Sequence, residues 1–119
     1  MYREIKIGEK TIPMLANGAT PLRYRMVFGR DIISEFQRAG EDGGIMASSI
    51  SELAYIMASA ADKSVDMNKL NINSYANWLE QFEPLDLTMS AEEVVDVYMG
   101  NTKTTSEVKK KARGAVSES

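Results

Sequence analysis

The chain has 119 residues, 44% of them hydrophobic, and a net charge of −3, which bounds it to one domain with a single core. It contains no cysteine and no histidine, so disulfides, thiol nucleophiles, imidazole acid–base chemistry, the usual zinc ligand sets and a Ser-His-Asp triad are excluded together. Dispersed acids, an N-terminus without the apolar stretch of a signal peptide and the lack of a bilayer-length apolar run point away from nucleic-acid and membrane partners and toward the cytosol.

Ile5, Ile7, Ile12 and Met14 alternate on both sides of Gly8-Glu9-Lys10-Thr11, and a period of two predicts a β-hairpin over residues 2–15. A four-residue loop is expected, pairing Ile7 with Ile12 and Ile5 with Met14. A shorter loop centred on Gly8-Glu9 would set Ile7 opposite Lys10 and is expected to split the apolar set between faces. Two strands alone are not stable in water, so the hairpin must lie on the helices that follow.

Thr20 is expected to cap a first helix, with Pro21 at its first position and Tyr24, Val27 and Phe28 sharing a stripe. Gly29 stands where a left-handed cap closes that helix, and Asp31 then caps a second one carrying Ile32, Ile33 and Phe36. The hairpin, the Thr20-Pro21 pair and the string Arg23-Tyr24-Arg25-Met26-Val27-Phe28-Gly29-Arg30-Asp31 together resemble the tail assembly chaperones of long-tailed, siphovirus-type bacteriophages, over residues 2–36. The resemblance implies a non-catalytic role in the host cytoplasm, with no cofactor. Several copies would bind the tape measure protein, keep it soluble, help recruit tail tube protein, and be absent from the mature virion. It also implies a homo-oligomer. The alternative is a phage structural component of similar size, such as a head–tail connector or tail terminator, retained in the virion.

Beyond Phe36, the glycines and acids of Ala39-Gly-Glu-Asp-Gly-Gly44 read as a loop. Ser49 and Glu52 have the spacing of a capping box, and Ile50, Leu53, Ala54, Met57 and Ala61 then recur at three and four, predicting a helix buried on one side. Ala47, Ala54, Ala58, Ala60 and Ala61 keep it narrow. The polar stretch from Asp62 to Asn73 has Val65, Met67 and Leu70 as anchors, and Asn73 or Ser74 is placed to cap the next helix. On that helix Tyr75, Leu79 and Phe82 share a side, Trp78 sits at the margin, and Pro84 is the expected terminator. Trp78, Phe82, Leu85 and Leu87 read as a core lid or as the wall of a groove, and are the candidate partner-binding residues.

Ser90 and Glu93 repeat the capping-box spacing before a helix in which Val94, Val97 and Tyr98 align and which Gly100 is placed to stop. Glu92 and Glu93 point about 100° apart on a helix, which argues against a catalytic carboxylate pair. Asp62, Asp66 and Glu83 are too scattered to propose as a magnesium site. No phosphate loop, nucleophile elbow or acidic metal loop is present in the sequence, so no catalytic, cofactor or metal residue is assigned. Eight methionines fill a core or offer an adaptable binding face.

The expected architecture is α+β and mostly α. An N-terminal β-hairpin packs on about five short helices in one domain spanning 1–99, and 100–119 is a flexible tail or linker. That tail carries Val108, Ala112, Ala115 and Val116 among polar residues, with a Lys109-Lys110-Lys111-Ala-Arg113 cluster. By the family resemblance, Lys109 to Lys111 imply an adenine-rich codon run at which a ribosomal frameshift would extend the product.

Overall fold

The computed structural model describes residues 1–42 and 47–100. Strands β1 (Tyr2–Ile7) and β2 (Lys10–Leu15) form an antiparallel hairpin, followed by helices α1 (Thr20–Phe28), α2 (Ile32–Asp42) and α3 (Ala47–Ala61). A 3₁₀ turn at Met67–Lys69 then leads to α4 (Ile72–Leu79), α5 (Pro84–Met89) and α6 (Ala91–Met99). The architecture is α+β and mostly α as expected, with six α-helices among the described residues. The tail, including Lys109 to Lys111, lies outside them, as do Gly43 and Gly44 of the expected loop. The rest of that loop, Ala39 to Asp42, is instead the last turn of α2. A helix-interior glycine costs only about 1 kcal/mol relative to alanine, which packing elsewhere on a helix overrides.

The hairpin register corrects the sequence expectation. Ile7 pairs with Lys10, Ile5 with Ile12 and Arg3 with Met14, across a two-residue Gly8-Glu9 turn. Sliding one strand by two residues leaves every side chain on its original face, so both loop lengths keep the apolar set together and the expected splitting does not arise. The turn itself selects the register. Gly8 has φ 64° whereas Glu9 does not have positive φ, the pattern of a type II′ hairpin with glycine first. Ile5, Ile7 and Met14 are consequently buried and Ile12 half-buried.

The hairpin rests chiefly on α3 through β2, while α6 and α5 lie along β1. Helix α3 also packs against α1, α2, α4 and α6, and every residue from Glu52 to Ser59 is buried. The expected one-sided stripe is therefore replaced by burial on all sides, which its small alanine and serine positions permit. Val94 and Val97 of α6 complete the core, as the sequence predicts.

The helix ends show where capping logic holds and where it fails. Gly29 and Gly100 close α1 and α6 in left-handed conformation, and Asp31 accepts from the Ile33 N–H at 3.1 Å to start α2. Thr20 lies inside α1, after its N-cap Ala19. Its hydroxyl accepts from the Asn17 N–H at 2.9 Å and tightens the preceding turn instead. Helix α4 is capped by Asn71, whose side chain accepts from Ser74 N–H while Ser74 Oγ accepts from Asn71 N–H. Asn73 and Ser74 are thus both within the helix. Pro84 does not terminate α4, which ends at Leu79; it occupies the first turn of α5, where the missing N–H costs nothing. Ser90 precedes α6 without a side-chain cap, its hydroxyl donating back to the Leu87 carbonyl at 3.0 Å.

Candidate functional site

Two carboxylates are carried into the interior where α1, α2 and α3 meet. Glu52 on α3 and Glu35 on α2 are 9% and 7% exposed, and charges so far from water require partners. Glu52 accepts from the Tyr24 hydroxyl at 2.7 Å and is paired with the Arg30 guanidinium. Glu35 accepts from the Ser49 hydroxyl at 2.7 Å and is paired with Arg38, with Arg30 Nε at 4.0 Å. Arg30 thereby bridges the two acids from the corner that Gly29 makes between α1 and α2. Ser49 and Glu52 do not cap α3. They sit three residues apart on one face of the helix, and that spacing serves the neighbouring helices instead.

Burial pushes the Tyr24 phenol up to about 12, and its hydrogen bond to Glu52 adds to the effect while Arg30 opposes it. Tyr75 is likewise raised to about 12, by burial first and by the field of Glu52 second. The Arg30 guanidinium is held charged still more firmly by its hydrogen bonds to Glu52 and Tyr24. Every acid here has a cationic or hydroxyl partner, so the cluster locks three helices together and offers no open acceptor to a ligand.

An aromatic run extends from this cluster to the surface. Phe28 contacts Tyr24 and Tyr75 at ring separations of 5.2 and 5.1 Å. Tyr55 contacts Tyr75 and Trp78 at 5.5 and 5.8 Å. Trp78 meets Phe82 edge to face at 4.9 Å. Of the four candidate partner-binding residues, Trp78, Phe82 and Leu87 pack half-buried against the core, whereas Leu85 points outward and is 67% exposed. Leu85 and Leu87 are two positions apart on a helix and so face opposite ways. Trp78 also lines an open cleft of about 390 Å³ with Ile12 and Pro13 of β2, Ala58 and Ala61 of α3, and Gln81. Asp62 and Lys63 complete its lining. Trp78 thus both packs on the core and lines the cleft, whereas Phe82, Leu85 and Leu87 are not among the cleft's lining residues.

The remaining acids do not converge. Asp62 accepts from Ser64 N–H and Oγ in a turn, which holds its carboxyl below the usual range. Asp66 caps the 3₁₀ turn, and Glu83 precedes α5. Glu92 is exposed while Glu93 pairs with Arg3 at 3.5 Å. Among the described residues no group of three or more acids is placed to hold a metal ion, and no helix is long and apolar enough to cross a membrane.

The sequence reading missed the Glu35–Arg30–Glu52 cluster and the involvement of β2 in the Trp78 cleft. Charged residues at Glu35 and Glu52 within otherwise apolar helix faces are the one signal that pointed to the first. Nothing local pointed to the second, because it joins segments more than forty residues apart. Comparison of the chain with protein-family models, with curated proteins and with solved structures finds no match.

Proposed function

We propose that this chain is a non-catalytic assembly chaperone of a long-tailed bacteriophage, acting in the host cytoplasm on the tape measure protein and helping to recruit tail tube subunits. The observation that carries the reading is the open cleft lined by Trp78 of α4, Ile12 and Pro13 of β2, and Ala58 and Ala61 of α3. Its lining mixes apolar side chains with Asp62, Lys63 and Gln81, which matches an amphipathic helix, the form in which an unassembled tape measure exposes its stripes. Pro13 removes a backbone donor from β2, so a client strand adding to that edge is disfavoured. The Arg23-to-Asp31 string supports the same family assignment, and it forms the Arg30 corner that holds α1 and α2 on α3.

One client helix in such a cleft is a modest contact, which suits a chaperone that must later leave. Several copies along an extended client supply the avidity. Co-expression with the large, helix-rich protein encoded downstream tests this. The client is expected to become soluble and to co-purify, and Lys63→Glu and Gln81→Arg, at exposed positions lining the cleft, are expected to lower its recovery several-fold with unchanged circular dichroism. A client that stays equally insoluble with and without the chain overturns the proposal. Mass spectrometry of purified virions is expected to find no copies, whereas a fixed stoichiometry there identifies a retained structural component.

A further inference from the structure

Charge is segregated along the chain, although Arg3 of the hairpin pairs with Glu93. From Leu70 to Gly100 the sequence holds six acids, Glu80, Glu83, Asp86, Glu92, Glu93 and Asp96, and no lysine or arginine. From Thr20 to Arg30 it holds no acid and three arginines, of which Arg30 is held by Glu52 and Arg23 and Arg25 belong to α1. Each region also carries an exposed apolar pair at helical spacing. On α1, Leu22 and Met26 are 59% and 70% exposed, and the helical period sets Arg23 and Arg25 on their two sides. On α5, Leu85 and Met89 are 67% and 76% exposed, with Asp86 beside them.

Helix α5 and the N-terminal end of α1 lie at opposite ends of the hairpin. Helix α5 sits at the turn, where a Cβ on Gly8 would come within 2.5 Å of Asp86 Oδ2. Helix α1 departs from the open end, where Ala16 N–H donates to the Met1 carbonyl and Pro21 lines a cleft with both residues. Six-residue strands hold these poles roughly 20 Å apart. Two unlike, complementary faces on separate poles of one molecule give a head-to-tail contact, which repeats from copy to copy instead of closing on itself as a two-fold dimer does.

We propose that the chain self-associates head to tail, with the arginine-flanked Leu22–Met26 face of α1 in one copy seated on the acidic Leu85–Met89 face of α5 in the next. This deepens the multi-copy part of the proposed function and rests on it, but the contact is formed without client. Each face is small beside the roughly 800 Å² per partner of a stable interface, so the contact is weak and salt-sensitive, and grows by addition of copies.

Sedimentation velocity of the full chain without client tests the contact, with client solubilisation measured separately so that either reading can fail alone. The average mass of the wild type is expected to rise with concentration beyond that of a dimer, and to fall back at about 0.5 M salt. L22S/M26S and L85S/M89S alter exposed residues, so both are expected to keep the wild-type circular dichroism and each to stay monomeric. Mixed together they are expected to form dimers that grow no further, because each contributes its one intact face. R25E is expected to weaken the wild-type association about tenfold. A wild type that remains monomeric at all concentrations overturns the proposal, as does association that either double variant retains. So does association that survives both but disappears when residues 101–119 are removed, which would place the basic C-terminal segment on the acidic face.

Discussion

Helices α3 and α5 are both rich in apolar residues, yet they stand at opposite extremes of burial. From Glu52 to Ser59 α3 has no exposed residue, and it touches the hairpin and four other helices. Helix α5 has no buried residue at all, and it leans on β1 and α6 by one side. The contrast teaches that apolar content does not set a helix's role in this molecule. Side-chain size does more, since the alanines and serines of α3 let neighbours close in from every direction, whereas Leu85 and Met89 on α5 reach past anything that covers them.

The largest effect that would probe this contrast is removal of a side chain from the centre of α3. Leu53 is fully buried, so Leu53→Ala is expected to cost about 2–5 kcal/mol by urea denaturation. A cost near that of an exposed site would mean α3 is not the organising helix.

Raising the pH tests the polar cluster on the same helix. Tyr24 and Tyr75 are raised from 10.0 to about 12, so the folded state holds their protons more tightly than the unfolded chain. Their contribution is fully present below pH 10 and is lost as pH rises toward 12. Because one unit is worth about 1.4 kcal/mol, Tyr24 alone accounts for about 2–3 kcal/mol over that window. Tyr24→Phe is expected to flatten the decline, at a cost of about 1 kcal/mol at neutral pH for the lost hydrogen bond to Glu52. An unchanged decline in the variant would remove Tyr24 from the explanation.

A smaller effect is expected where α5 meets the hairpin turn. Gly8→Ala places a side chain at φ 64° and brings its Cβ against Asp86 Oδ2. The strain costs about 1 kcal/mol, and the flexible end of Asp86 can swing aside. Adding Asp86→Ala should therefore recover little of the loss, and full recovery would show that the contact and not the backbone sets the cost. The smallest effect belongs to the outer face of α5, where Leu85→Ser is expected to change stability by less than about 0.5 kcal/mol. A larger loss would mean that Leu85 is covered within the monomer.

Much of this architecture was legible locally. The alternation of Ile5 and Ile7, the glycine stops at Gly29 and Gly100, the Asp31 cap and the Val94–Val97 stripe each depend on nearest neighbours, and each is found where the residues imply. The capping-box spacing was the recurrent source of error. Ser49 with Glu52 and Ser90 with Glu93 have the right residues but do not form the box, while Asn71 with Ser74 forms it. Of the candidate partner residues, Trp78 was readable as a stripe-edge aromatic. Its cleft was not, because part of the lining comes from β2.

The sequence by itself determined the type and approximate extent of most elements, since backbone preference and side-chain periodicity act over a few residues. It also excluded every chemistry that needs cysteine or histidine. Only the tertiary structure decided how far the hairpin register slides, which serine and glutamate pairs face inward, and that α3 is enclosed on all sides. The physical reason is degeneracy. A two-residue slide leaves the faces unchanged, and a polar pair three residues apart can satisfy either its own helix's N–H groups or the side chains of neighbours. The choice falls to whichever groups the packed helices bring within hydrogen-bonding distance.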